Sequence, residues 1–313
     1  MSTYLTIGEA LTDIVIRTDA PTAEFPGGSP MNVAVALGRL GHTSHLLTHI
    51  GDDERGRAIE RHVEASNVSL TQGSVKPGTT TSTAAATIGD GGAATYEFDI
   101  TWDPDPRDLP AKVEAVHTSS IAATLDPGAD TLRRVVASLR ESALISYDPN
   151  ARPSLMGDPS LAREPIEENI ALADIVKASD EDLEWLYETS DIDQAAQSWL
   201  RRGVKLAVIT RGGQGATAFT ARGRVDIPGV RVDVADTVGA GDTFSAGLLD
   251  ALSRKGLLGA EGREKIAALE ATEIEEILSH AALLASVTVS RAGANPPWAR
   301  EIADRCTLSP AED

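Results

Sequence analysis

The chain has 313 residues, 42% apolar and 24% charged, enough to bury a substantial core and far from the composition of a disordered chain. Its net charge of −19 (28 basic against 47 acidic residues) repels nucleic acid and anionic membrane surfaces, so neither is an expected partner. An anionic ligand needs a local device against that field, such as the free amides at a helix N-terminus, and the single cysteine, Cys306, excludes an intrachain disulfide and a cysteine-based zinc site.

The opening MSTYLTIGEAL has no basic region followed by a long apolar run, and no stretch reaches the roughly eighteen apolar residues of a membrane span. A cytoplasmic protein is expected. Tyr4–Ile7 reads as a buried strand, and Ile14–Thr18 as an isolated strand with polar alternation. Residues Asn32–Leu40 (NVAVALGRL) form a helix pattern that stops at Gly41, a suitable C-terminal cap. Ser44–Thr48 is the next strand and Gly56–Ser66 the next helix. From Thr79 to Asp99, two β-prone segments flank Gly89-Asp90-Gly91-Gly92, a hairpin signal. Further strands are expected at Ala115–Thr118, Leu144–Tyr147, Ile175–Lys177 and Leu206–Thr210. Helices are expected at Asp130–Glu141, Asp180–Tyr187, Asp193–Arg201 and Ile277–Val289.

This alternation implies a mainly parallel sheet with crossover helices on both faces, an α/β three-layer sandwich. The strands outside the alternation predict a small β lid over one end of the sheet, from segments near 12–25 and 79–101. A single domain over residues 1–313 is expected, with a frayed tail at Ser309–Asp313.

The string with the most chemistry is DTVGAGDTFSAGLL, Asp236–Leu249. Gly239, Ala240 and Gly241 make a tight small-residue turn, and Phe244, Leu248, Leu249 and Leu252 continue as a helix. The turn therefore opens a helix, where free N–H groups and the dipole favour an anion. Small residues let a phosphoryl group approach the backbone. Asp242 at the rim is the candidate base for an attacking hydroxyl.

This string resembles the C-terminal motif of the ribokinase-like (PfkB) carbohydrate kinases, and PGGSPMNVAVALGRLG, Pro26–Gly41, resembles the N-terminal motif of the same family. The resemblance covers essentially the whole chain and implies an ATP-dependent sugar kinase. It implies that Gly27, Gly28 and Asn32 contact sugar hydroxyls, with Asp13 of GEALTD as the acidic sugar ligand. The GDDERGR turn, Gly51–Arg57, matches a mostly structural G-x-D-x-x-G element. TRGGQGA, Thr210–Ala216, is similar to the T-x-G-x-x-G-A turn of the nucleotide side, so Thr210, Gly212 and Gly215 are expected along ATP, beside the small-residue helix HAALLASVTVS. YDPNARP and KASDEDL look like the fructokinase branch. They bring Asp148, Asn150 and Arg152 to the sugar side and Lys177 and Ser179 to the ATP side. Arg152 is the cation suited to a phosphate or sugar carboxylate.

The N-x-x-E element of the family falls on Ser179–Asp182, with serine and aspartate as the substituted ends, and Asp182 is the expected Mg²⁺ partner through water, with Glu181 as a competitor. Asp236, Val238, Arg291 and Gly293 match the backbone positions of a monovalent cation site, possible K⁺ ligands, although Val238 and Pro297 stand where ribokinase carries hydroxyls. No G-x-x-x-x-G-K-[ST] loop, no G-x-G-x-x-G after the first strand, no H-E-x-x-H and no C-x-x-C occurs. Fructose is the expected sugar, with 2-keto-3-deoxygluconate, ribose or a nucleoside as alternatives. A non-catalytic sugar- or nucleotide-binding regulator is the alternative of another class. An exposed lid edge makes a homodimer through the lid plausible.

Overall fold

The computed structural model describes residues 1–17, 20–88 and 94–303. Cys306, the 309–313 tail, the glycine turn at 89–92 and the end of the Ile14–Thr18 strand fall outside them. The chain opens with β1 (Thr3–Ile7), β2 (Leu11–Arg17) and β3 (Ala20–Gly27), then α1 (Ser29–Arg39) and β4 (Thr43–Leu47). Next come the short β5 (Ile50–Gly51), α2 (Glu54–Glu64), β6 (Val68–Leu70), β7 (Val75–Lys76), β8 (Thr83–Ile88) and β9 (Ala94–Asp99). A βα alternation follows: β10 (Ala115–Ser119), α3 (Gly128–Leu139), β11 (Leu144–Asp148), α4 (Pro153–Met156), α5 (Pro159–Leu172), β12 (Ile175–Ser179), α6 (Asp180–Tyr187), α7 (Ile192–Arg201) and β13 (Leu206–Thr210). The hairpin β14 (Ala216–Thr220) and β15 (Gly223–Ile227) leads to α8 (Ala240–Arg254), α9 (Gly262–Ala267), α10 (Ala271–Val289) and α11 (Ala299–Ile302).

The main sheet has nine strands in the order β15-β14-β13-β12-β11-β10-β1-β4-β6. It is parallel from β6 to β13, and β14 then runs antiparallel to both β13 and the edge strand β15. Period-2 alternation sorts its side chains. Leu5, Ile7, Val116, Ile145 and Val176 join one core cluster with α3, α5, α6 and α7. Tyr4, Ala115, Leu144, Ile175 and Leu206 join the other, with α1, α8 and α10. These two cores on opposite faces make the three layers.

On the α8 face the alternating positions turn polar toward the strand ends. Thr6, His117 and Ser146 form one row across β1, β10 and β11. Asp148, Lys177 and Ser179 lie beyond it, at the C-terminal ends where open α/β sheets bind ligands.

A separate four-stranded sheet, β3-β2-β8-β9, is built from both sequence segments outside the alternation. The β14–β15 hairpin was not expected from sequence, because its two short strands follow a glycine turn that reads as loop. Helix α5 fills the gap between β11 and β12, where a crossover helix was expected without bounds: Pro159 starts it and Pro165 lies inside it, which obscures the helical period.

Candidate active site

Two helix N-termini converge at the strand ends. Helix α8 is preceded by Gly239 at φ 74, a left-handed conformation that glycine adopts without penalty. A Cβ there would stand 2.7 Å from the Ala294 Cβ, so the turn is also too close for a side chain. The Thr243 amide makes the first helical bond, to the Gly239 carbonyl. The Ala240 amide is taken by the Thr237 carbonyl at 3.2 Å, so one of the amides expected to form the cradle over residues 239–242 is occupied. Helix geometry gives the Gly241 and Asp242 amides no carbonyl of their own. Thr237 and Val238 are exposed and Gly239–Gly241 half-buried, so the turn opens to solvent.

Asp242 lies just beneath, 7% exposed. Its Oδ1 accepts from the Ser29 hydroxyl at 2.7 Å and its Oδ2 from the Asn32 amide at 2.8 Å. Both donors come from the first turn of α1, so the carboxylate sits where two helix dipoles present positive charge. Ser29 Oγ is also 2.8 Å from Ser119 Oγ. A hydroxyl has one proton, and that of Ser29 goes to Asp242, so Ser119 donates to Ser29. The result is a directed chain, Ser119 to Ser29 to Asp242.

Beside it, Asp13 and Glu9 face Arg152. Burial pushes the Asp13 carboxyl up to about 6, with the Arg152 charge pulling it back. Burial pushes Glu9 up to about 7 against its own backbone amide, Ser120, Arg152 and the Ala122 amide, which lower it. A Cβ on Gly27 would stand 2.0 Å from Asp13 Oδ2, and one on Gly28, at φ 115, 2.5 Å from the Glu9 carbonyl. These glycines let the β3–α1 turn lie flat against the acidic pair. Asn150, at φ 37, lies two residues past the end of β11 and donates its backbone amide to Asp148 Oδ1 at 3.1 Å. Arg152 is exposed and bonds the Ala151 carbonyl.

Across the small sheet, Asp13, Ala84 and Phe98 are in register and share a face. A cavity of about 440 Å³ opens there, between Phe98, Ile121, Thr124, Leu155 and Met156 among others.

On the other side of Asp242, Thr210 ends β13 and bonds the Ala178 carbonyl at 3.3 Å. Gly212 and Gly215 bound a tight turn at φ 49 and φ 99, and a Cβ on Gly215 would strike the Ile227 carbonyl at 2.1 Å. Ser179 caps α6: its hydroxyl accepts from the Asp182 amide, while its own amide and hydroxyl donate to Asp182 Oδ2. Among the described residues Asp182 Oδ1 accepts from the Ala151 amide at 2.7 Å, and a second lone pair on that oxygen suits a metal-bound water. No group of three or more His, Cys, Asp or Glu side chains suited to a metal occurs among the described residues. That donor set fits Mg²⁺, which keeps several waters and rides on substrate phosphates.

Asp236 accepts from the Val238 amide at 3.0 Å and the Gly293 amide at 2.9 Å. These amide bonds hold its carboxyl below the usual range and bring both expected K⁺ segments together. Arg291 is paired with Glu301, so only its backbone is available there.

Sequence reading did not single out Glu9, Ser29 or Ser119. Ser245 donates to Asp148 at 3.3 Å, and Lys177 lies 2.8 Å from the same oxygen. Glu9 carried a signal, as the acidic neighbour of a glycine at the end of β1; the serines carried none.

Comparison with known proteins places this geometry among relatives. The family described as pfkB family carbohydrate kinase matches residues 1–300. The fructokinase of Rhizobium leguminosarum bv. trifolii is 37% identical over 265 residues, 81% of each chain. The ATP-bound fructokinase of Xylella fastidiosa superposes with TM-score 0.81 at 25% identity, covering 96% of this chain and 97% of that one. A double mutant of the Vibrio cholerae fructokinase, bound to fructose, ADP and potassium, superposes with TM-score 0.79 at 27% identity over 94% of each chain. No helix among the described residues is long and apolar enough to cross a membrane.

Proposed function

The chain belongs to the pfkB family of carbohydrate kinases, and on that premise we propose that it transfers the γ-phosphoryl group of Mg²⁺-bound ATP to a hydroxyl of fructose. The observation that carries this reading is Asp242, gripped through both oxygens by Ser29 and Asn32 at the mouth of a helix whose first amides are free of helical partners. The fructokinase relatives support the sugar.

In this reading the sugar lies against Asp13, Gly27, Gly28, Asn32, Asn150 and Arg152, beneath the small sheet. Carboxylates and amides suit a polyol because they accept and donate several hydrogen bonds in a fixed pattern. The reacting hydroxyl gives its proton to Asp242 as its oxygen bonds the γ-phosphorus and the bond to ADP breaks. The Gly241 and Asp242 amides, with Lys177, hold the charge on the transferring group, and positioning supplies most of the rate. ATP runs along Ser179, Thr210, Gly212 and Gly215. Mg²⁺ supplies charge neutralisation on the phosphates, with Asp182 reaching it through water. K⁺ would be held by backbone carbonyls near Asp236, Val238, Arg291 and Gly293, where it would supply positive charge beside the cradle. Closure of the small sheet as a lid excludes the water that would otherwise accept the phosphoryl group.

Phe25 and Tyr96 share the lid face of Asp13 and are 56% and 60% exposed. Exposed aromatics of that size favour a homodimer through the lid; Phe25→Asp is expected to give a monomer in sedimentation. The reaction belongs in the cytoplasm, where ATP is supplied.

A coupled ADP-release assay over fructose, 2-keto-3-deoxygluconate, ribose and a nucleoside tests the substrate. The reading expects fructose to give the highest kcat/KM. Release with none of them favours a binding regulator instead.

A further inference from the structure

Lys177 and Asp148 form a buried ion pair under the phosphoryl cradle, and the reading above gives the lysine a role but none to its partner. Lys177 is 5% exposed and Asp148 1%. Burying such a pair generally stabilises a fold less than apolar side chains of the same volume would, so its presence points to use. The Lys177 Nζ stands 2.8 Å from Asp148 Oδ2 and 3.0 Å from where a Cβ on Gly241 would be. The ammonium therefore touches the start of α8 and not the solvent.

Asp148 is itself held on both oxygens. Oδ1 accepts from the Asn150 amide at 3.1 Å, and Oδ2 accepts from Ser245, one turn into α8, at 3.3 Å. Lysine is a point charge on a flexible stem and takes its position from its partner. Three carboxylates compete for this one. Burial pulls the ammonium down, Asp148 raises it most, Asp182 and Asp242 raise it further, and the balance lies above the ordinary lysine range. The buried neighbour His117 is held neutral, its imidazole pushed down to about 3 by burial and by Lys177.

We propose that Asp148 is a positioning residue for phosphoryl transfer: it holds the Lys177 ammonium against Gly241, and it keeps that ammonium from swinging onto Asp242 and neutralising the base. This rests on the reading of Asp242 and its cradle given above.

A double-mutant cycle tests it. Lys177→Met and Asp148→Asn are each expected to lower kcat about 10²-fold with the KM for fructose unchanged. The double variant is expected to match Lys177→Met alone, because Asp148 acts only through the lysine. Multiplicative losses, or an apparent Mg²⁺ requirement raised tenfold by Asp148→Asn, would overturn the proposal by showing Asp148 acting on its own. Should Asp148→Asn alone fail to fold with an unpaired buried cation, the double variant against Lys177→Met decides the matter by itself. If Lys177→Met and Asp242→Asn both keep full turnover, the cradle reading falls and takes the proposal with it; if only the cycle fails, the reading stands without it.

Discussion

Individual atoms decide what the cradle can do. Among the described residues, the Lys177 ammonium is what stands near the missing Cβ of Gly241, at 3.0 Å. Gly241→Ala is therefore expected to keep or slightly raise the melting temperature, since alanine favours a helix, while kcat falls about tenfold as the lysine is pushed aside. Melting and turnover measured on one preparation check this; unchanged turnover would mean that Lys177 has no part in transfer. Ser29→Ala removes one of the two hydrogen bonds that orient Asp242. A kcat about tenfold lower with the KM for ATP unchanged is expected from steady-state kinetics. Asp242 and its glycines were legible in the sequence because they are contiguous and their spacing alone implies a turn opening a helix. Ser29 was not, because its bond to Asp242 joins positions 213 residues apart, and a serine after a glycine pair has no local signature.

At the level of elements, the small sheet is anchored to the main body through the GDDERGR turn. Asp53 caps α2 by accepting from the Gly56 amide at 2.8 Å. It also accepts from the Thr81 amide at 2.9 Å and the Thr81 hydroxyl at 2.6 Å, just before β8 begins. Asp53→Ala loses the cap and both lid contacts, a cost of about 2 kcal/mol. Its expected signature is a lower denaturation midpoint together with a KM for fructose that rises more than kcat falls. A midpoint shift with unchanged KM would show that the turn serves stability alone. Sequence placed helix α6 and strand β13 at their observed limits, because a serine cap and a clean apolar run mark them. It missed β14, whose ATAFT mixes small and polar residues instead of forming an apolar run, and β15, which lies at the sheet edge and is largely exposed.

Across the whole molecule, an acidic chain gathers the further carboxylates Glu9 and Asp13 on the sugar side of Asp242, and burial makes them costly to ionise. Glu9 is raised from 4.5 to about 7, so it binds a proton more tightly folded than unfolded. Its contribution is therefore neutral below pH 4.5 and increasingly destabilising as pH rises to 7. Glu9→Gln is expected to melt like the wild type near pH 4 and several degrees higher at pH 8, on a melting curve taken at each pH. A gap that is largest at low pH would contradict the burial argument. The layered α/β architecture was readable from the alternation of runs, since it depends only on period. The converging helix N-termini, by contrast, depend on how α1 and α8 pack across the sheet, which no local pattern encodes. The most direct test is ADP release with saturating fructose and Mg²⁺-ATP by Asp242→Asn beside the wild type. A turnover lower by about 10²-fold or more, with both ligands still bound, is the required result; near-wild-type turnover would show that this carboxylate does not deprotonate the sugar.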